Sequence, residues 1–208
     1  MTAAPTRPTV QAPKPPVPPA RGGVQFSRPQ ANAGHRIVLY GPGGIGKTTL
    51  AAQLPGVAFI DLDESLGRLG LNVPTVHAAT WADLRAGLAA PGWDSVGSIV
   101  VDTGTRAEEM AIADTLLNVV QDGKKSTSVE GYGYGKGYGY VFDTFLPLLA
   151  ELDRHARAGR HVCLICHDCT STVPNPAGED WLRYEPRLQS PSSGKASIRL
   201  RVREWADH

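Results

Sequence analysis

Residues 41–49 read Gly41-Pro42-Gly43-Gly44-Ile45-Gly46-Lys47-Thr48-Thr49, which fills the pattern G-x-x-x-x-G-K-[ST]. No other stretch restricts the fold as strongly, because the pattern works only between a strand and a helix. Both flanks fit. His35-Arg36-Ile37-Val38-Leu39-Tyr40 is an apolar run of strand length, and Thr48 through Leu54 can open a helix. The glycines let successive backbone N–H groups turn inward around an anion, and the helix start adds partial positive charge. Lys47 is then placed to reach the β- and γ-phosphates, and the Thr48 hydroxyl to ligate Mg2+. The nine residues 41–49 together predict a site for a nucleoside triphosphate, ATP being the expected ligand.

Beyond this loop, strands and helices alternate, which predicts an α/β fold with a mostly parallel central sheet flanked by helices. Val57–Asp61 and Ser98–Asp102 read as buried strands, with a weaker extended piece at 73–76. Thr80 and Asp83 form a capping-box pattern for a helix running to residue 90, stopped by Pro91-Gly92. Ile112, Leu116, Val119 and Val120 mark an amphipathic helix ended by Gly123. Phe145, Leu148, Leu149 and Leu152 give the next helix its apolar face, with Pro147 in its first turn or kinking it. His161–Cys166 is a further core strand, 168–195 a long polar loop, and the alternation across 197–203 predicts a closing half-buried strand.

The chain has 208 residues and is 41% hydrophobic, enough for one domain, here 34–208. Eight of its 17 prolines fall in residues 1–30, so 1–33 is expected to be a disordered, proline-rich tail. Net charge is +1, but basic residues cluster at 183–203, which leaves nucleic acid open as a partner. No apolar run has the length of a membrane span and no signal-peptide core follows Met1. With three cysteines that form no disulfide framework, the expected compartment is the cytoplasm. Cys163 and Cys166, three apart in a buried strand, point to opposite faces and cannot grip one ion.

Three sets of residues could carry chemistry. Asp102 ends the strand Ile99-Val100-Val101 and is placed to hold the magnesium ion with Thr48. Asp61, Asp63 and Glu64 end the second strand; either Asp63 or Glu64 could activate water, while capping of a short helix at 64–70 is the structural alternative. His167 follows the fourth strand and could sense the γ-phosphate. The glycine-tyrosine stretch 131–140 offers Tyr132, Tyr134, Tyr138 and Tyr140 for stacking on bases. Lys124, Lys125 and Lys136 can meet phosphates there, and Arg183 and Arg187 add basic charge further on.

Taken together, these residues resemble the RecA-like P-loop ATPases. More narrowly, residues 35–208 are similar to the phage and prophage ATP-binding proteins of the Sak type, which act in single-strand annealing or recombination. The resemblance rests on 41–49, on Phe59-Ile60-Asp61-Leu62-Asp63, on Ile99–Asp102, on the Tyr-Gly loop and on Cys166-His167. It implies a DNA-stimulated, Mg2+-dependent ATPase working as a homo-oligomeric ring or filament on single-stranded DNA, with a single-strand-binding protein as a further partner. It also implies Asp63 as the water-activating acid, and DNA loops at about 122–140 and 168–195. The family would carry another strand after His208, so the C-terminus looks curtailed. A nucleotide or small-molecule kinase and a non-hydrolysing switch are the alternatives, distinguished by an acceptor requirement and by absence of turnover.

Overall fold

The computed structural model describes residues 33–192 and 194–208; the expected proline-rich tail, apart from Ala33, lies outside the described residues. The strand β1 (Arg36–Gly41) leads through the glycine loop into α1 (Lys47–Ala51). Then come β2 (Val57–Asp61), β3 (Thr75–His77), α2 (Trp81–Ala89), β4 (Ser98–Asp102) and α3 (Gly104–Asn118). A two-stranded hairpin follows, β5 (Val120–Gln121) with β6 (Lys124–Lys125). The chain closes with α4 (Lys136–Arg157), β7 (His161–Val173), β8 (Trp181–Pro186) and α5 (Ile198–Trp205).

The sheet runs β1-β7-β4-β2-β3, every neighbour parallel, and β8 joins β7 antiparallel. The middles of its central strands are apolar on both sides because both faces are covered, as parallel sheets require. In β4, Ile99 and Val101 join the larger core cluster, packed with α2, α3, α4 and α5, while Val100 joins the smaller cluster beside α1. In β7, Val162, Leu164 and Cys166 take the first side and Cys163 and Ile165 the second. The two buried thiols therefore sit on opposite faces; burial pushes the Cys163 thiol up to about 12 and that of Cys166 higher still.

The capping box at α2 is present: Asp83 N–H donates to Thr80 Oγ1 (3.1 Å) and Thr80 N–H to Asp83 Oδ2 (3.0 Å). Several other expectations change. The extended piece near 73–76 is β3, shifted to Thr75–His77. The 64–70 segment forms turns instead of a helix. α3 ends at Asn118, its buried side made by Ala107, Met110, Ala111 and Thr115, and Gly123 (φ 77°) turns the β5–β6 hairpin instead of ending a helix. Pro147 lies well inside α4.

Two corrections matter more. Residues 197–203 are helical: Ser197 caps α5 through Leu200 N–H (3.2 Å), and Ile198, Val202 and Trp205 are buried at helical spacing. Ile198, Leu200 and Val202 satisfy a strand period over that short span, but Leu200 is exposed, so the helical period wins. Likewise 168–195 is no simple loop. β7 runs on past the sheet to Val173 and pairs with β8 as a two-stranded arm, built from Thr170, Ser171, Thr172 and Val173 opposite Trp181–Tyr184. None of these arm residues is fully buried, so no apolar–polar alternation marks them in the sequence.

Asp207 and His208 N–H groups donate to the Arg36 carbonyl (2.8 and 3.2 Å) and Val38 N–H to that of His208 (2.9 Å), so 207–208 lie along β1. Among the described residues no helix is long and apolar enough to cross a membrane.

Two predictions follow the core. Phe145→Ala, which empties a site 1% exposed on α4, should cost about 3–5 kcal/mol in urea unfolding, whereas Leu117→Ala on exposed α3 surface should change stability little. Glu108 on α3 is buried and accepts Gln189 N–H (2.6 Å); burial raises its pKa from 4.5 to about 7. A folded-state pKa above the unfolded value favours folding at low pH and loses that advantage as pH rises from 4.5 through 7. Glu108→Gln should therefore be more stable than the parent by up to about 3 kcal/mol at pH 8 and no different near pH 4.

Candidate nucleotide site

The parallel register brings the expected chemistry to one sheet edge: Gly41 aligns with His167, and Asp61 with Asp102. Between β1 and α1 the loop folds back on itself. Gly44 (φ 76°) and Gly46 (φ 96°) adopt left-handed conformations that a Cβ would strain, and Gly46 is the N-cap of α1. Gly43, Gly44, Gly46, Lys47, Thr48 and Thr49 form one wall of a cavity of about 310 Å³. Asp63, Asp102, Thr103 and His167 line it as well. Gly41, Pro42 and Ile45 lie on the other side of the loop, lining a second cavity with Tyr40, Asp168 and Tyr184.

Lys47 is buried, and its Nζ donates to the carbonyls of Gly41 (2.8 Å) and Pro42 (2.9 Å), which holds the ammonium across the loop mouth. Thr48 Oγ1 donates to Asp102 Oδ2 at 2.7 Å. Asp102 is 1% exposed, and its pKa is raised to about 6. Burial is the main cause; the Thr48 hydrogen bond and Lys47 oppose it, and Asp63 and Asp61 add to it. A hydroxyl and a poorly compensated carboxylate, side by side at the loop, fit a divalent cation that completes its shell with phosphate oxygens and water, as Mg2+ does. Among the described residues no group of three or more His, Cys, Asp or Glu is placed to hold a metal ion.

Of the three acids at the end of β2, Asp61 ties down the turn that follows: its Oδ1 accepts Ser65 N–H and its Oδ2 accepts Leu66 N–H, both at 3.2 Å. Asp63 reaches the cavity wall. Glu64 is exposed, has φ 51° and is absent from that wall, so it is not brought to the site as the alternative base. His167 lines the cavity and is anchored through its backbone. Its N–H donates to Thr105 Oγ1 (3.1 Å) and its carbonyl accepts Arg187 N–H (2.8 Å). The cavity also includes Ser65, Arg68 and Leu69, which no motif marked; only their position just after a strand that ends at the site could have signalled them.

The expected base-stacking set is partly dismantled. Tyr132 is 5% exposed and its hydroxyl proton is shared between the carbonyls of Thr115 (3.2 Å) and Val119 (3.0 Å), so this ring is a core element and cannot stack on a base. Tyr140 packs edge-on against it with centroids 5.1 Å apart. Tyr138 donates to Glu130 Oε1 (3.0 Å), and Tyr134 is fully exposed. Lys124, Lys125 and Lys136 are exposed, the first two beside a cavity of about 540 Å³ that Tyr132 also lines. Arg183 is engaged by the buried Glu185, whose Oε1 also takes Arg203 (3.2 Å); Arg187 is exposed at the base of the arm. Helix formation at α5 turns Arg201 away from Arg199 and Arg203, which the expected strand would have put on one face.

The family model described as an AAA domain matches residues 33–207, nearly all of the described chain. No curated protein matches. The glycine loop, the Thr48–Asp102 pair and the parallel sheet order agree with that match in their geometry. This chain belongs to the AAA domain family of P-loop, nucleotide-binding ATPases, which use ATP, typically with Mg2+.

Proposed function

We propose that this ATPase works on single-stranded DNA, in recombination or annealing of the phage type, as a homo-oligomeric ring or filament. The observation that carries the reading is the continuity between the cavity and the β7–β8 arm. His167 lines the one and immediately precedes Asp168, where pairing with β8 begins, and its two backbone hydrogen bonds tie Thr105 on α3 to Arg187 below β8. A change around the γ-phosphate at His167 thus has a covalent and hydrogen-bonded route into the arm. The arm displays Trp181 (60% exposed), Leu182 and Tyr184 (66% exposed). Flat rings on an arm with nearby arginines suit stacking on unpaired bases, and they replace Tyr132 in the expected set.

In this reading Lys47 and the loop N–H groups hold the β- and γ-phosphates, and Thr48 and Asp102 would hold Mg2+, which supplies charge neutralisation when bound. Asp63 orients the attacking water and accepts its proton as the bond from the γ-phosphorus to ADP breaks.

Steady-state hydrolysis with and without single-stranded DNA tests this directly. DNA should stimulate turnover, and Lys47→Ala should abolish it. Turnover that requires a small phosphate acceptor would instead identify a kinase, and ATP binding without turnover a switch. Separately, Trp181→Ala with Tyr184→Ala should weaken DNA affinity roughly tenfold or more at unchanged ATP affinity, since each base–aromatic stack contributes about 1–3 kcal/mol. Unchanged DNA affinity would remove the arm from the reading.

A further inference from the structure

Opposite the glycine loop, the turn after β2 is fixed by its backbone and leaves two side chains at the cavity wall. Asp61 receives the N–H groups of Ser65 and Leu66 (both 3.2 Å), and Leu66 is buried in the smaller core cluster with Ala51 and Phe59. Leu69 N–H returns to the carbonyls of Ser65 (3.2 Å) and Leu66 (3.1 Å), and Leu71 N–H to that of Leu66 (3.2 Å). None of these bonds uses the Ser65 hydroxyl or a charged group of Arg68.

Ser65 Oγ is shut off from solvent and has no hydrogen-bond partner. A polar atom left in that state costs about 1–3 kcal/mol, and such atoms in folded proteins call for a specific explanation. Arg68 is exposed and forms no ion pair among the described residues; its one hydrogen bond runs from Nη2 to the Asp63 carbonyl (3.2 Å). Both residues line the same cavity as Lys47, Thr48 and Asp102. On that wall Lys47 and Arg68 stand with two carboxylates, Asp63 and Asp102, so without Arg68 the lining would be net negative toward a polyanion.

We infer that the Ser65–Arg68 turn is a second anion-binding wall of the nucleotide site. The Arg68 guanidinium engages triphosphate oxygens across the cavity from the glycine loop, and the Ser65 hydroxyl rotates about χ1 out of its enclosed position to donate to the same chain of phosphates. A guanidinium presents several donors in a planar fork that suits phosphate, and the tie to the Asp63 carbonyl holds it at the wall. The cationic group is then supplied in cis, by the same chain that holds the ATP. This inference rests on reading the cavity as the triphosphate site.

The test compares the full chain with Ser65→Ala, Arg68→Ala and Arg68→Lys for Mg-ATP affinity, KM and kcat, and for the thermal midpoint without nucleotide. Ser65→Ala removes an unpaired hydroxyl, so its midpoint should be unchanged or higher while ATP affinity falls several-fold. Arg68→Ala should raise KM roughly tenfold or more, as loss of a charge-assisted hydrogen bond does, and Arg68→Lys should recover part of it. Wild-type ATP affinity in both alanine variants would overturn the inference while leaving the site reading intact. Equal loss of midpoint in Arg68→Ala and Arg68→Lys at unchanged affinity would also overturn it, reducing Arg68 to a brace on Asp63. If the unaltered protein binds no ATP, the site reading and this inference fall together.

Discussion

The parallel register of β1, β7, β4 and β2 is the constraint from which the rest of the molecule follows. Residues 54 positions apart, Thr48 and Asp102, meet at 2.7 Å only because β4 and β1 flank β7 in a common direction and end together. The same register places Asp61 beside Asp102 and His167 beside Gly41. Had β7 paired one residue out of step, its alternating side chains would have exchanged clusters, and Cys166 would have left the core that now buries it.

Burial of that sheet on both faces has an electrostatic consequence. Asp102 ends a strand whose five residues are all buried, so its carboxylate is desolvated and its pKa is raised to about 6. Strand ends are where a fully covered sheet first meets solvent, and a site built there gains low dielectric without sealing off the ligand. The glycine loop answers with Lys47, and β2 answers with a turn tied down by Asp61 that brings Ser65 and Arg68 to the cavity lining.

α3 converts this edge into a connected unit. Thr105 receives the His167 N–H and Glu108 the Gln189 N–H, so one helix face braces both the start of the arm and the segment that leaves it. The arm itself was hidden from sequence periodicity, since Thr170 to Val173 and Trp181 to Tyr184 extend beyond the covered sheet and have no buried side to mark. α5 was hidden for a different reason: apolar residues at 198, 200 and 202 fit two periods at once, and only the burial of Trp205 and exposure of Leu200 separate them. Tyr132 misled because a ring amid glycines reads as mobile, whereas its hydroxyl sits between the Thr115 and Val119 carbonyls at the end of α3 and shares its one proton between them.

What the sequence determined by itself was the set of local rules: glycines where φ is positive, Lys47 and Thr48 behind them, an aspartate ending an apolar strand, and the apolar strand middles of a two-sided parallel sheet. These are consequences of backbone sterics and of burial, and both act within a few residues. The tertiary structure decided which acid ties down the turn and which lines the cavity, which tyrosines are core, and that Ser65 and Arg68 face the glycine loop. Those outcomes depend on contacts between segments far apart in the chain, whose geometry the strand register sets and no local pattern encodes.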